Sequence, residues 1–283
     1  MKGKYAAIAV TFAALLHQTA NAQETTGAIN LGLGGSNVTD NGAFEGFGRS
    51  MDVSGYLRQG LQGGFFIEAE MRNQNVTIAQ PFADSLSGSR LFGLRAGKDF
   101  GNYTLGGFAA YMVAITSDGT SERRVFGVTG SYDMAGPLSF TGLVGYLDGT
   151  SGTDDGGLDG MSQFGNAAFG VEYDVNRRLV LDVRGAFGAG IMDDDSPRDE
   201  LALVREISAG ASYQFADPAL RAYARATYSF LYQGDENDVS DEKRIDVGLI
   251  WTFGKQASEA RGPSRVELPR YENWLGNAAG VLE

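Results

Sequence analysis

The 283-residue chain contains no cysteine, and its single histidine, His17, lies near the start of the sequence. The absence of cysteine excludes a disulfide framework and thiolate metal sites, as suits a chain that crosses an oxidising compartment without crosslinks. Serine hydrolysis usually needs a neighbouring base, most often histidine, and His17 falls in a segment that we expect to be removed. Paired carboxylates remain conceivable catalysts, but nothing marks a substrate site, so we expect no enzyme, no cofactor and no metal site.

The sequence also lacks any run of about 18 consecutive apolar residues, which excludes helical membrane spans. Lys2 and Lys4 precede an apolar run at 5–16, and Ala20-Asn21-Ala22 has the small-x-small pattern of a cleavage site. The run is too short to cross a hydrocarbon core about 30 Å thick, which argues against an anchoring helix. Residues 1–22 are therefore predicted to be a secretory signal peptide.

Positive charge is scarce. Removing Lys2 and Lys4 from a chain of net charge −12 leaves −14 on the mature protein, a poor candidate for binding nucleic acid or anionic lipid by charge. Much of the negative charge lies in three clusters, which we expect to be solvated loops. They are Asp148, Asp154, Asp155 and Asp159; Asp193, Asp194, Asp195, Asp199 and Glu200; and Asp235, Glu236, Asp238, Asp241 and Glu242.

What the sequence does contain is a repeated stretch of alternating polar and apolar residues, about ten residues long. That length and period are typical of a tilted β-strand crossing a bilayer, which needs ~9–11 residues. About twelve such strands are predicted, and ten or fourteen remain open. They lie near 27–35, 50–58, 65–72, 90–97, 103–113, 124–132, 138–146, 164–173, 179–187, 207–215, 220–230 and 245–253.

Several of these stretches end in an aromatic residue and a tight turn, as at Tyr132-Asp133, Tyr173-Asp174 and Phe253-Gly254. Short turns follow the even strands, and long loops are expected after the odd ones. This asymmetry and the aromatic ends favour a transmembrane antiparallel up-and-down barrel over residues 23–253. A soluble periplasmic β-sandwich is the alternative, but its strands would be shorter, about 5–6 residues.

The combination of signal peptide, amphipathic strands, tight turns and acidic loops resembles a Gram-negative outer-membrane porin-type barrel. The resemblance implies integral outer-membrane localisation, contact with outer-membrane lipids and lipopolysaccharide, and possible oligomers. It also implies recognition of an aromatic-ended last strand by the barrel assembly machinery, here Val247–Phe253. The chain departs from the family pattern because about thirty residues follow Phe253.

If the apolar faces contact lipid, the intervening polar side chains line the lumen. The candidate pore-lining residues are Asp52, Glu68, Glu70, Arg72, Arg95, Asp182, Arg184, Glu206, Arg221, Arg225 and Asp246. One interpretation is a narrow wet pore for small hydrophilic solutes and ions, with Arg221 and Arg225 the first candidates for solute contact. The other is a non-conducting structural or surface-interaction barrel whose interior is filled by mutual ion pairs.

The tail, 254–283, is mixed in charge and too short for a further domain. We expect a flexible periplasmic extension. The alternative is a plug that enters the lumen, with Arg261, Arg265 and Arg270 meeting the inner carboxylates.

Overall fold

A computed structural model describes residues 24–40, 43–78, 88–115, 120–149, 161–192, 200–233, 238–254 and 267–270. The predicted signal peptide lies outside these residues, as do most members of the three acidic clusters. Among the residues that are described, no helix is long and apolar enough to span a membrane.

The described chain forms twelve antiparallel strands in one closed barrel, in which each strand pairs with its neighbours in sequence and β1 pairs with β12. This confirms the predicted fold and settles the strand number. The strands are β1 Glu24–Asp40, β2 Ala43–Gly60, β3 Phe65–Ile78, β4 Gly88–Asp99, β5 Tyr103–Ile115, β6 Thr120–Asp133, β7 Leu138–Gly149, β8 Met161–Asp174, β9 Leu179–Met192, β10 Glu200–Gln214, β11 Leu220–Gln233 and β12 Asp238–Gly254.

The two ends of the barrel differ. At one, here called the turn end, short connections follow the even strands, and the first and last strands begin and finish there. The turn between β2 and β3 contains Gly63 and Gly64, both with positive φ. A Cβ on Gly64 would lie 2.7 Å from the Asp99 carbonyl oxygen, so only glycine fits. The opposite end is called the loop end.

The outer surface carries the apolar face of each strand. On β1, Ile29, Leu31 and Leu33 are exposed, and Asn30 and Gly32 between them point inward. Aromatic residues gather on this surface near the turn end, where Phe100 stacks on Tyr103 with ring centroids 5.2 Å apart. An apolar band edged by aromatics is the surface that a lipid bilayer requires of a barrel.

At the loop end the strands are longer than predicted. Asp148, Glu200, Asp238, Asp241 and Glu242 were expected in loops but belong to β7, β10 and β12. The connections after β1, β5 and β11 span only 41–42, 116–119 and 234–237, so the prediction of a long loop after every odd strand is wrong there. The strands continue to pair beyond the apolar band towards the loop end, where the sequence no longer alternates between polar and apolar residues and so does not predict a strand.

The barrel interior is partly apolar, which the alternation rule does not predict. Phe164, Met112 and Leu147 are among the largest fully buried side chains, and they point inward. The full cluster consists of Leu91, Phe108, Ala110, Met112, Val125, Leu143, Leu147, Phe164, Ala202, Val204, Leu231 and Leu268. All but Leu268 lie on β4–β8, β10 and β11, mostly towards the loop end, so apolar packing narrows the lumen there.

Candidate functional site: the charged lumen and its tail segment

The side chains predicted for the lumen all lie on the inner face of the barrel. On β3, Phe66, Glu68 and Gln74 are buried, whereas Phe65 and Ile67 are exposed on the outer surface. The same alternation places every candidate inside: Asp52, Glu68, Glu70, Arg72, Arg95, Asp182, Arg184, Glu206, Arg221, Arg225 and Asp246. Their role as a pore lining stays a prediction.

One wall of the lumen, formed by β2–β4, is held together by ion pairs between its strands. Arg95 on β4 lies opposite Glu68 on β3, with 3.1 Å between Nη1 and Oε1, and both are buried. Nearer the turn end, Arg58 donates two hydrogen bonds to the carboxylate of Asp99, at 2.7 and 2.6 Å. Its guanidinium also stacks on Phe66, 3.7 Å from the ring centroid.

The opposite wall, formed by β8–β11, places two arginines around one aspartate. The Asp182 carboxylate lies 3.1 Å from Arg184 Nε and 3.2 Å from Arg225 Nη2. Arg184 Nη2 is also 3.8 Å from Glu172 Oε1. Gly210 leaves room for this group, because a Cβ there would lie 2.6 Å from Asp182 Oδ2.

Between these walls, β12 supplies Arg244 and Asp246, whose side chains are joined at 3.0 Å and almost fully buried. Glu206 on β10 accepts a hydrogen bond from Ser229 on β11 at 3.2 Å. Arg244 is absent from the sequence prediction, because the polar run before it looks like a loop. The signal that could have found it is its spacing from Asp246, because residues two positions apart on a strand point to the same face.

Inside this charged lumen lies a part of the tail, residues 267–270, here called the luminal segment. Glu267 pairs with Arg184 and with Arg225. Arg270 at its other end reaches Asp52 at 3.1 Å and lies 3.7 Å from Asp246. The segment therefore bridges the two sides of the lumen by ion pairs of opposite polarity.

The middle of the luminal segment is held by different contacts. Arg72 donates to the carbonyl oxygen of Leu268 at 3.0 Å and to that of Pro269 at 3.4 Å. The Leu268 side chain is buried in the apolar cluster, where its Cδ1 lies 3.6 Å from the position of a Cβ built on Gly93. Both ends and the centre of the segment are thus fixed at mid-depth in the barrel.

For these four residues, the position inside the barrel differs from the predicted periplasmic extension and agrees with the plug kept as its alternative. The physical reason is charge matching between Arg270 and the inner carboxylates Asp52 and Asp246. Arg261 and Arg265, the other arginines proposed to meet those carboxylates, lie outside the described residues. The domain boundaries at 22 and 253 stay a prediction.

A cavity of about 220 Å³ opens beneath the luminal segment, towards the turn end. Its charged lining on the barrel wall consists of Arg72, Arg184, Arg221 and Arg225 with Glu70, Glu172 and Asp182. This wall has one more positive than negative charge. Glu267 and Arg270 form part of the boundary, so the tail and the predicted pore residues share one cavity. Within the described ranges, no three potential metal ligands lie close enough to hold an ion.

Comparison with known proteins supports the fold and no finer assignment. No protein-family model matches the chain, and no curated protein matches it. A solved outer-membrane channel from Pseudomonas putida F1 is similar, with a TM-score of 0.54 and 11% identity over 81% of this chain and 95% of that one. The NanC porin has a TM-score of 0.49 and 16% identity, covering 78% of this chain and 98% of its own. The protein thus has the closed β-barrel fold of outer-membrane channels.

Proposed function

We propose that the protein is an integral outer-membrane barrel that acts as a narrow porin-like channel for passive diffusion of small hydrophilic solutes and ions. We place the turn end, where the barrel domain begins and ends, on the periplasmic side of the membrane. The loop end and the acidic clusters face the outside of the cell.

The observation that carries this proposal is the cavity of about 220 Å³ bounded by charged side chains from both walls. A dry interior would not keep so many ionised groups, because burying a charge without water or a partner is costly. A space of this size has room for several water molecules. Hydrated charges along a lumen are the means by which pores admit and orient polar solutes.

The size of the barrel supports a narrow channel. Eight strands leave an interior that side chains fill, and sixteen to eighteen leave an open aqueous channel. A twelve-stranded barrel lies between these cases. Here the luminal segment and the apolar cluster narrow it further, so we expect passage of ions and of solutes no larger than small sugars.

The non-conducting structural barrel remains the second candidate, and one observation favours it. Arginines of the inner wall are paired, as Arg95 is with Glu68 and Arg244 is with Asp246, and apolar side chains fill the lumen towards the loop end. In that case the barrel would serve as a rigid support for its outer loops.

Liposome swelling and planar-bilayer recording separate the two candidates. The mature chain is reconstituted and challenged with sugars of increasing size and with potassium chloride. The channel predicts swelling that falls steeply with sugar size, together with discrete current steps. Absence of both current and swelling, in a preparation whose folding is verified by circular dichroism, would overturn the channel and leave the structural barrel.

The last strand also bears on assembly. Val247–Phe253 on β12 pairs with β1 along its length and so forms the seam that closes the barrel. We expect the assembly machinery to recognise this segment although the tail follows it. Deleting the aromatic side chain of Phe253 should then reduce the amount of assembled protein.

A further inference from the structure

Each of the four residues of the luminal segment lies in surroundings that match its chemistry. Glu267 meets two guanidinium groups, those of Arg184 and Arg225. Arg270 meets two carboxylates, and the side chain of Leu268 enters an apolar cluster. A chain that merely filled space would not need this residue-by-residue agreement.

The charges of the barrel wall are divided to suit such a segment. Around Glu267 the wall provides the guanidinium groups of Arg184 and Arg225, which share the single carboxylate of Asp182. Around Arg270 the wall provides the carboxylates of Asp52 and Asp246, with Arg244 as the cation bonded to Asp246. One side therefore needs an anion and the other needs a cation. A molecule that carries one anionic and one cationic group, separated by the distance between the two sides, neutralises both sides at once.

The contacts to the backbone point to a peptide. Arg72 donates to two successive carbonyl oxygens, those of Leu268 and Pro269. Successive carbonyls with this spacing are a feature of peptides and are absent from sugars and simple ions. Pro269 also favours an extended conformation at Leu268, the residue before it.

We propose that the luminal segment occupies a binding site for short extended peptides that carry an acidic residue and, three positions later, a basic residue. In the absence of solute, the protein's own tail fills the site, and a matching peptide displaces it. As a site for a permeating solute it rests on the proposed channel function.

The spacing sets a lower limit on ligand size. Three peptide units span at most about 10 Å between the first and fourth Cα atoms. A free amino acid is too short to reach both charged pockets and the apolar one between them. The site should therefore prefer peptides of about four residues to single amino acids such as arginine or glutamate.

The tail competes from a short tether. Only residues 255–266 separate β12 from the luminal segment, and a tether of this length gives an effective concentration in the millimolar range. A free peptide will consequently bind weakly to the unmodified protein. The test needs a full-length chain whose own segment is weakened at its two charged ends.

The experiment is isothermal calorimetry on the full mature chain carrying Glu267→Gln and Arg270→Gln, in detergent. The probe is the blocked peptide acetyl-Glu-Leu-Pro-Arg-amide. We expect it to bind this variant at least about tenfold more tightly than the unmodified chain. A neutral peptide with glutamine at both ends, and one with the two charged residues exchanged, should bind at least about tenfold more weakly, since each loses charge-assisted hydrogen bonds.

A double-mutant cycle ties the peptide to its pocket. In the tail variant, Asp52→Asn should weaken binding of the probe but should not weaken the peptide whose arginine is replaced by glutamine. Asp99→Asn, which removes a carboxylate at the turn end, is the matched control and should leave the affinity unchanged. Equal binding of the probe and its charge-exchanged form, or no binding to the tail variant, would overturn the site.

Conductance separates this inference from the channel itself. An ionic current that is blocked by the probe peptide supports both the peptide site and the channel. Current without peptide binding overturns the site and leaves the channel. Peptide binding by calorimetry without current in any variant overturns the channel and leaves a peptide-binding barrel.

Discussion

Arg270 of the tail lies 3.1 Å from the carboxylate of Asp52 on β2, although the two residues are 218 positions apart in the sequence. The contact places a guanidinium at mid-depth in the lumen, between the turn end and the apolar cluster. Asp52 is almost fully buried, so the tail supplies a countercharge to a carboxylate that water reaches poorly. The tail is thereby a part of the lumen's electrostatic balance as well as an obstacle in it.

Removal of the tail should open the lumen. Truncation after Gly254 deletes the luminal segment but keeps every strand. The β1–β12 ladder is also kept, because it runs from the Thr26–Gly254 pair to the Asp40–Ser240 pair. We expect a several-fold rise in single-channel conductance, because the segment occupies the narrow region. Removal of residues 271–283 alone is the control and should have a smaller effect. Unchanged conductance in the longer truncation would show that the tail does not limit the current.

The alternation of polarity was sufficient to predict which charged residues face inward. Glu68, Glu70 and Arg72 follow one another at every second position, between apolar neighbours on the outer face of the barrel. A rule that assigns apolar side chains to lipid, however, places Phe164 and Met112 outside, whereas they point into the lumen and narrow it. The polarity of a side chain therefore predicts which face of a strand it lies on only where one face has apolar surroundings and the other has polar surroundings.

The position of the tail was beyond the reach of local pattern. Residues 267–270 have no periodicity, and the hydrogen bond from Arg72 to Leu268 joins positions 196 apart. Such contacts depend on the closed barrel bringing β2, β3, β9 and β11 around one space. The sequence predicted a plug only as an alternative, from the possibility that arginines of the tail pair with the inner carboxylates.

Ion selectivity should depend on Arg221 and Arg225. Both line the cavity, whose wall has four arginines against three acidic residues. Replacing both with alanine changes this excess of one positive charge to an excess of one negative charge. We expect the reversal potential in a potassium chloride gradient to shift towards cation selectivity, most clearly at low salt, where screening is weak.

Arg205 provides the control for that experiment. It lies on β10 with its side chain exposed on the outer face of the barrel. Arg205→Ala removes one positive charge from the protein but none from the lumen, so the reversal potential should not move. An equal shift in the two proteins would contradict a role for the inner arginines.

The Glu68–Arg95 pair should behave as a buried ion pair between strands. Arg95→Met leaves the Glu68 carboxylate, only 2% exposed, without this partner. We expect a loss of about 3–5 kcal/mol in the free energy of unfolding, measured with urea in lipid vesicles. The double variant Glu68→Met with Arg95→Met should lose less, because neither charge of this pair is then left buried without the other. A greater loss in the double variant would contradict this account.

Gly32 on β1 makes room for the hydroxyl of Tyr223, a residue of β11 whose ring lies over Gly248 of the intervening strand β12. A Cβ on Gly32 would lie 2.4 Å from that oxygen, and its next contacts are at ordinary van der Waals distances of 3.5 and 3.7 Å. Gly32→Ala should therefore destabilise the barrel by about 1–3 kcal/mol, the usual cost of overpacking. In a Tyr223→Phe background, which lacks the oxygen, the same substitution should cost much less.

Gly35→Ala on the same strand is the control, because a Cβ there meets nothing within 4 Å. Urea unfolding in vesicles measures the unmodified chain and all four variants. An equal cost of Gly32→Ala with and without the hydroxyl would show that the glycine is needed for another reason.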